Sequence, residues 1–359
     1  MHDNVNSLRY SSVIAEWYAK NKRDLPWRNT KDAYCIWISE IILQQTRVVQ
    51  GYDYYLRFIA RFPNVASLAL AEQAEVLKYW QGLGYYSRAR NLHEASKQIL
   101  SRFQGVFPHK YEDILSLKGI GEYTAAAIVS FVWNQPYPVI DGNVFRVLSR
   151  LFSIEVPVDT GVGKKLFREL AYSLMNPKCA GLHNQAIMEF GALQCVPKNP
   201  ACTQCPLADY CLGYASGHVM KFPVKQNKTK TRNRYFNYFH IMCSENTYLQ
   251  RRSEKDIWEG LFEFPLIETD QAIDFEALQV TEEFGELFNK VDQPVFSVAK
   301  SGVKHVLSHQ ILYVTFYKVV IQAENGSLKK YVKTPIASVD HYPVSQLTHH
   351  YLNSLLISG

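Results

Sequence analysis

The sequence predicts a mostly α N-terminal domain followed by an α+β C-terminal domain. Its 359 residues exceed what one ordinary hydrophobic core needs. From Leu8 to about Gly213, apolar residues recur at helical spacing between short breaks rich in Gly and Pro. From Tyr235 onward, runs rich in β-branched and aromatic residues indicate strands, with helices expected at 275–290 and 344–357. We therefore place the domains at 1–217 and 235–359, joined by a linker at 218–234.

Composition and charge narrow the class of protein. Hydrophobic residues make up 47% and charged residues 20% of the chain, which is ordinary for a soluble protein. The start lacks the pattern of a secretory signal, and no apolar run reaches the roughly 20 residues that span a bilayer. We expect a cytoplasmic protein, nucleoid-associated if bacterial, with no membrane partner.

The predicted linker is basic. It carries no acid and six cations, which equal the net charge of +6: Lys221, Lys225, Lys228, Lys230, Arg232 and Arg234. It is either a solvated connection or one that also lies along phosphates, and the two interpretations are compatible.

Four of the seven cysteines lie within one short segment: Cys195, Cys202, Cys205 and Cys211. An odd total with one tight group favours metal ligation over a disulfide framework. Four thiolates suit either zinc or a [4Fe–4S] cluster. Zinc ribbons usually pair two C-x2-C knuckles, whereas this segment has one, and its longer spacers suit a larger object. We therefore expect a [4Fe–4S] cluster.

Gly119 and Gly121 form a G-x-G turn that leads into a helical pattern. Such a turn is often only a connection between helices. It also brings backbone amides and a helix N-terminus close to a phosphate. With the apolar residues on both sides, it resembles the helix–hairpin–helix motif that binds DNA.

Two carboxylates stand out in the first domain. Asp141 directly precedes a helical pattern, so it can cap that helix, and we expect the capping hydrogen bonds to depress its pKa. Glu40 is the sole acid in an apolar helical segment, and burial there would raise its pKa. A neutral acid beside an anion is what cleavage of a glycosidic bond requires.

These motifs together resemble the MutY-type adenine DNA glycosylases of the endonuclease III superfamily. The matching strings are Leu25–Arg28, Ser39–Val48 and Gly82–Asn91, together with the hairpin, Asp141-Gly-Asn143 and the cysteine loop. The resemblance covers nearly the whole first domain. It implies removal of adenine mispaired with 8-oxoguanine or guanine, by flipping the base out of duplex DNA.

The resemblance also assigns catalytic roles. Glu40 is implied to be the general acid at adenine N7, and Asp141 to stabilise or trap the sugar cation. Tyr123 and Asn143 would assist that carboxylate. Bifunctional relatives carry a lysine nucleophile where this chain has Tyr123, so we expect base removal without efficient strand cutting.

Binding roles are carried over in the same way. The pocket for the flipped adenine is implied to contain Trp27, Arg28 and Gln185. Gln45 and Tyr85 would wedge into the duplex, and Thr46 and Leu83 would contact the 8-oxoguanine side. The second domain resembles a Nudix-like lesion-recognition domain, in which the segment Lys304–Gln310 would probe 8-oxoguanine. The family's usual aromatic there is Leu307 in this chain, so Ser308 and His309 are the better candidates.

Two other interpretations compete with this one. An endonuclease III-type glycosylase–lyase is disfavoured by Tyr123 and by the added domain. A non-catalytic DNA-binding protein is disfavoured by the pair Glu40 and Asp141. We expect a monomer acting on duplex DNA that contains A:8-oxoguanine or A:G mispairs.

Overall fold

The structure is a computed structural model that describes residues 7–227, 231–253, 255–324 and 326–357. The chain folds as two units, each assembled from two separate stretches of sequence. The first draws on Met1–Leu70 and Asn91–Lys228, and the second on Ala71–Arg90 and Thr229–Gly359. The predicted bounds at 217 and 235 remain predictions. No helix among the described residues is long and apolar enough to cross a membrane.

The first two-thirds of the chain form helices, as the spacing of apolar residues predicted. In chain order they are α1 (Ser7–Asn21), α2 (Ala33–Leu43), α3 (Val48–Arg61), α4 (Val65–Ala69), α5 (Gln73–Trp80), α6 (Ser87–Arg102), α7 (Tyr111–Leu115), α8 (Glu122–Trp133), α9 (Gly142–Leu151), α10 (Gly161–Leu174), α11 (Ala180–Leu193) and α12 (Leu212–Ala215). A short 3₁₀ turn, Pro26–Arg28, stands between α1 and α2.

Helices α1, α9, α10 and α11 enclose one hydrophobic core of the first unit. Tyr10, Ile14 and Tyr18 of α1 pack there with apolar side chains of the other three helices, including Phe167 and Phe190. Burying such side chains contributes about 1.5–3 kcal/mol each. This core fixes α9 and α11, which carry Asp141, Asn143 and Gln185 at their ends or on their faces.

The turn between α7 and α8 is the predicted hairpin. Gly119 has a φ of +75°, which favours glycine, and a Cβ there would lie 2.5 Å from the Cβ of Asn91. Gly121 caps α8 and leaves open space beside it. The turn is therefore shaped for close approach by a backbone or by a ligand.

The second unit contains a mixed sheet. Its strands are β1 (Arg232–Cys243), β2 (Asn246–Arg251), β3 (Phe262–Glu263), β4 (Leu266–Thr269), β5 (Val295–Val306), β6 (Gln310–Ile321) and β7 (Val332–Pro335). They follow the order β3-β2-β1-β6-β5, with β4 paired to β1 and β7 to β2. Strands β1 and β6 run parallel and in register over their whole length.

Side chains of β1 and β6 alternate in direction, so each strand contributes to a hydrophobic core on either face of the sheet. Phe239 and Ile241 join the core that contains α13 (Phe275–Gln279) and α14 (Glu282–Phe288). Phe236 and Tyr238 join the opposite core with α15 (Gln346–Ile357). The expected strands and helices of this domain are present, whereas β3, β4, β5 and β7 were not predicted.

The predicted linker lies partly within each unit. The backbone amides of Gln226 and Asn227 donate to Asp159, which attaches this part to the first unit. Lys228 and Lys230 lie outside the described residues. Arg234 is buried in β1 and pairs with Asp256 and Glu268. Arg234 is therefore not available for the phosphate contact that one interpretation of the linker included, because two carboxylates already accept from its guanidinium.

Residues 71–90 belong to the second unit through specific contacts. The Val344 amide donates to Gln81 at 3.2 Å, and the Tyr86 hydroxyl donates to the Val344 carbonyl at 3.4 Å. Arg90 forms an ion pair of 3.0 Å with Glu259. This segment carries the loop with Leu83 and Tyr85, so the loop is held by residues that follow it by more than 150 positions.

Candidate active site

A cleft of about 920 Å³ opens in the first unit. It is lined by nine of the residues that the sequence singled out: Trp27, Arg28, Glu40, Gln45, Thr46, Tyr123, Asp141, Asn143 and Gln185. The elements that bring them together are the 3₁₀ turn, α2, α8, α9 and α11. Leu83, Tyr85 and the Leu307–His309 segment lie in the second unit and are described separately below.

Glu40 lies near the C-terminal end of α2, a helix whose residues from Ile36 to Ile42 are all buried. The residue is 7% exposed, and its carboxyl accepts a hydrogen bond of 2.8 Å from the Tyr123 hydroxyl. Burial raises the pKa of Glu40 to about 7, and Asp141 adds to the rise, while Tyr123 and Arg28 oppose it. Glu40 therefore binds a proton near neutral pH, as the sequence predicted.

Asp141 is the N-cap residue of α9, as predicted. One carboxylate oxygen accepts from the amides of Asn143 and Val144 at 2.9 and 2.8 Å, and the other from the Asn143 side chain at 2.6 Å. The expected depression of its pKa is wrong. Burial raises the pKa of Asp141, and the capping hydrogen bonds and Arg146 only oppose that rise.

The two carboxyls still differ in how well their charged forms are supported. Asp141 receives three donors, whereas Tyr123 is the hydrogen-bond donor to Glu40 within the described chain. Donors stabilise an ionised carboxylate. The site can therefore hold a protonated acid and an anion side by side.

Each residue of the predicted base pocket contacts an aromatic side chain. Trp27 is 7% exposed and packs edge-on against Tyr55 with ring centroids 5.1 Å apart. Arg28 lies over the ring of Tyr18, at 5.6 Å from its centroid. The Tyr18 hydroxyl donates to Gln185 Oε1 at 2.9 Å. Polar and aromatic groups thus line the same wall of the cleft.

Sequence reasoning missed Glu189, which lines the cleft with 1% of its side chain exposed. Arg28 donates to both of its oxygens at 2.8 and 2.6 Å, and Arg23 does so at 2.9 and 2.5 Å. Burial alone would raise the pKa of Glu189, but these two guanidiniums lower it to about 2. A signal was present, because Glu189 is the sole acid of its helix and follows Gln185 by one helical turn.

The two predicted wedge residues share an uncommon backbone conformation. Gln45 has a φ of +54° and Tyr85 a φ of +47°. Non-glycine residues in this region cost of order 1–3 kcal/mol and often mark functional positions. Gln45 is exposed, and Tyr85 is 46% exposed. Each side chain is thus held out from its loop by the backbone.

The predicted lesion-side residues divide between the units. Thr46 lines the cleft beside Gln45, whereas Leu83 is buried in the second unit. Ser308 and His309 are exposed at the turn between β5 and β6, and the Ser308 hydroxyl is hydrogen-bonded to the Tyr85 hydroxyl. Leu307 instead packs partly into the core beneath α15. The second unit therefore brings Tyr85 and Ser308 together.

The four cysteines line one small cavity. Within the described chain, no three His, Cys, Asp or Glu side chains converge on a point that would suit one metal ion. The four cysteines share this cavity with Arg150. Arg150 is buried behind them and donates to Cys195 Sγ at 3.4 Å and to the Val196 carbonyl at 2.7 Å. Its positive charge would stabilise thiolates there.

Comparison with known proteins agrees with this geometry. Residues 38–170 match the HhH-GPD superfamily of base excision DNA repair proteins, 237–354 the NUDIX domain, and 195–211 the iron-sulfur binding domain of endonuclease III. A thermostable thymine-DNA glycosylase is similar with a TM-score of 0.55 and 27% identity, covering 58% of this chain and 97% of that one. An endonuclease III–DNA complex shows the same fold, with a TM-score of 0.51 and 19% identity over 59% of this chain and 98% of that one. These matches define a helix–hairpin–helix DNA glycosylase with a Nudix-like domain.

Proteins of similar sequence show which family of DNA glycosylases the chain belongs to. The adenine DNA glycosylase of Buchnera aphidicola subsp. Baizongia pistaciae is 34% identical over 88% of both chains. That of the Schizaphis graminum subspecies is 39% identical over 72% of this chain and 75% of the relative. The human enzyme is 41% identical over 56% of this chain and 39% of its own. The chain therefore belongs to the adenine DNA glycosylase family, acts on DNA in base excision repair and holds an iron–sulfur cluster.

Proposed function

We propose that the chain removes adenine mispaired with 8-oxoguanine or guanine in duplex DNA and leaves the strand uncut. The observation that carries this proposal is the convergence of Glu40, Tyr123 and Asp141 in one cleft. Glu40 is protonated near neutral pH there, while three donors support the charge of Asp141.

Glu40 supplies the proton that makes adenine a good leaving group. It transfers that proton to N7 as the bond between C1′ and N9 breaks, and the bonding electrons leave with the base. The raised pKa matters, because an ordinary glutamate with a pKa near 4.5 would be almost fully ionised at neutral pH. Tyr123 holds the carboxyl in place through its hydroxyl.

Asp141 provides the negative charge that the sugar needs when the base departs. The oxocarbenium-like cation forms beside this anion, which stabilises or traps it. Asn143 donates to one oxygen through its side chain and to the other through its amide, so it fixes the carboxylate rotamer. Water then adds to C1′ and loses a proton, leaving an abasic site.

The base reaches these groups only after extrusion from the duplex. Trp27, Arg28 and Gln185 receive the flipped adenine. Gln45 and Tyr85 wedge into the stack, where their exposed side chains and left-handed backbones present them in advance. Thr46, Leu83, Leu307, Ser308 and His309 serve the opposite base, with Ser308 placed beside Tyr85.

Strand cutting is not expected, because Tyr123 offers no amine to form a Schiff base with the sugar. The cysteines Cys195, Cys202, Cys205 and Cys211 hold the cluster as [4Fe–4S]. When bound, it ties a loop whose exposed Lys198 contacts phosphate. Gly119 and Gly121 bring a second phosphate contact at the hairpin.

The proposal is tested with duplexes that carry adenine opposite 8-oxoguanine, adenine opposite guanine, or thymine glycol. Cleavage at adenine that appears only after alkali supports it. Glu40→Gln and Asp141→Asn should abolish this cleavage, whereas Glu16→Gln, an exposed change on α1, should not. Nicking at thymine glycol without alkali, or activity that survives Glu40→Gln, would contradict it.

We also propose that the protein acts as a monomer in the cytoplasm, associated with the nucleoid if bacterial. Light scattering at working concentrations measures the oligomeric state. Imaging of a fluorescent fusion shows the location in the cell. A stable dimer would refute the monomer.

A further inference from the structure

Tyr18 links the core formed by α1, α9, α10 and α11 to the base pocket. It lies on α1, is 3% exposed, and its hydroxyl donates to Gln185 Oε1 at 2.9 Å across to α11. Gln185 lines the cleft, while Tyr18 does not. Tyr18 therefore acts on the cleft through its hydrogen bond to the Gln185 carboxamide.

The contact decides which half of the carboxamide remains available. A glutamine side chain offers one acceptor oxygen and two N–H donors. Oε1 keeps a second lone pair but is turned toward Tyr18, whereas the Gln185 amino group has no hydrogen bond within the described part of the chain. Gln185 therefore meets a ligand in the cleft as a donor.

Two features keep Tyr18 in the donating role. Burial raises the pKa of its hydroxyl, against the lowering effect of Arg28, so the proton stays on the oxygen at neutral pH. The Arg28 guanidinium lies 5.6 Å from the ring centroid, and Lys22 lies at the same distance. Positive charge over the ring draws electron density from the oxygen, which makes it a better donor and a weaker acceptor.

We propose that Tyr18 is a positioning residue that fixes Gln185 as a hydrogen-bond donor toward N1 of the flipped base. This inference rests on the proposed function, since it takes the cleft to be the base pocket. With N7 at Glu40 and C1′ near Asp141, the acceptors left on adenine are N1 and N3. Of these, N1 carries a hydrogen in guanine and hypoxanthine, so a fixed donor opposite N1 selects adenine.

The substitution Tyr18→Phe tests the idea, because it removes one oxygen and keeps the ring. Without the hydroxyl, Gln185 can turn its oxygen toward the base and accept the N1–H of hypoxanthine. Single-turnover base release is measured for adenine, hypoxanthine, 1-deazaadenine and 3-deazaadenine opposite 8-oxoguanine, together with the Kd of each duplex. Tyr10→Phe is the matched control, since Tyr10 is on the same helix, buried, and its hydroxyl has no partner among the described residues.

The expected result is a change in preference. The unaltered protein should favour adenine over hypoxanthine by about tenfold or more, since one opposed donor costs at least ~1.4 kcal/mol. Tyr18→Phe should shrink that ratio, in part by faster release of hypoxanthine, and Tyr10→Phe should leave it unchanged. Replacing N1 by carbon should slow the unaltered protein more than it slows Tyr18→Phe.

Faster release of hypoxanthine by Tyr18→Phe cannot come from damage to the fold, so this result distinguishes a positioning role of Tyr18 from a structural one. An unchanged adenine-to-hypoxanthine ratio in Tyr18→Phe would overturn the inference, as would equal effects of 1-deazaadenine on both proteins or a dominant effect of 3-deazaadenine. Failure of the proposed function looks different, because the unaltered protein would then not release adenine from these duplexes at all.

Discussion

Replacing Glu40 with glutamine should stabilise the protein, and increasingly so as pH rises. The buried carboxyl has a pKa of about 7 in the folded chain, against 4.5 ordinarily. The folded chain therefore keeps a proton that the unfolded chain has already lost. Stability from this group is fully present below about pH 4.5 and is lost as pH rises through about 7. Glutamine cannot ionise, so it avoids that loss.

The size of the effect follows from the two pKa values. A difference of one in pKa corresponds to about 1.4 kcal/mol, so this carboxyl accounts for about 3 kcal/mol between the two ends of the window. Glu40→Gln and the unaltered protein should have similar unfolding free energies at about pH 4. At about pH 8, the variant should be more stable by up to about 3 kcal/mol, while it no longer releases adenine.

Urea unfolding followed by circular dichroism at both pH values measures this difference. Glu16→Gln serves as the control, because its side chain is exposed on α1. An advantage of Glu40→Gln that is the same at both pH values would refute the reasoning, since it would mean that the pKa of Glu40 is not raised in the folded chain. A loss of stability at high pH would refute it more directly.

Four other outcomes are expected. Single-turnover adenine release should fall above about pH 7 as Glu40 loses its proton. Tyr123→Phe should move that falling limb to higher pH in a rate–pH profile, because the lost hydrogen bond opposed the raised pKa. Glu189→Gln should cost about 3–5 kcal/mol in urea unfolding by leaving two guanidiniums without their carboxylate, and adding Arg23→Met should recover part of that loss. Gln45→Gly should gain about 1 kcal/mol in the same assay by relieving its positive φ, yet slow base release; unchanged stability would contradict the strain.

Local patterns predicted much of the helical unit. Glu40 was expected to be buried because apolar residues surround it in sequence, and Asp141 was expected to cap α9 because it directly precedes the helix. Both expectations depend on neighbours within one turn. The sign of the Asp141 pKa shift depends instead on what packs over the carboxylate, and sequence spacing does not carry that information.

Most of the other features that the sequence did not predict depend on contacts between residues far apart in the chain. Glu189 finds Arg23 and Arg28 more than 160 positions away, so its ionised state is invisible to a local pattern. Strand β5 was missed because most of its side chains are exposed and alternate in burial only near its C-terminal end. The association of residues 71–90 with the C-terminal unit rests on single hydrogen bonds and one ion pair, which leave no periodic signal.

The divided second unit has a consequence for synthesis. Residues 71–90 leave the ribosome long before the strands that hold them, with Asn91–Lys228 translated in between. At about 5–20 residues per second, that interval lasts roughly seven to thirty seconds. The cleft with Glu40 and Asp141 can form during this time, while the loop that carries Tyr85 has no partner yet. The nascent chain can therefore form its cleft, Gln45 included, before the loop that carries Tyr85 has its partners. A chain that ended after the linker would have the cleft and an unsupported Tyr85 loop.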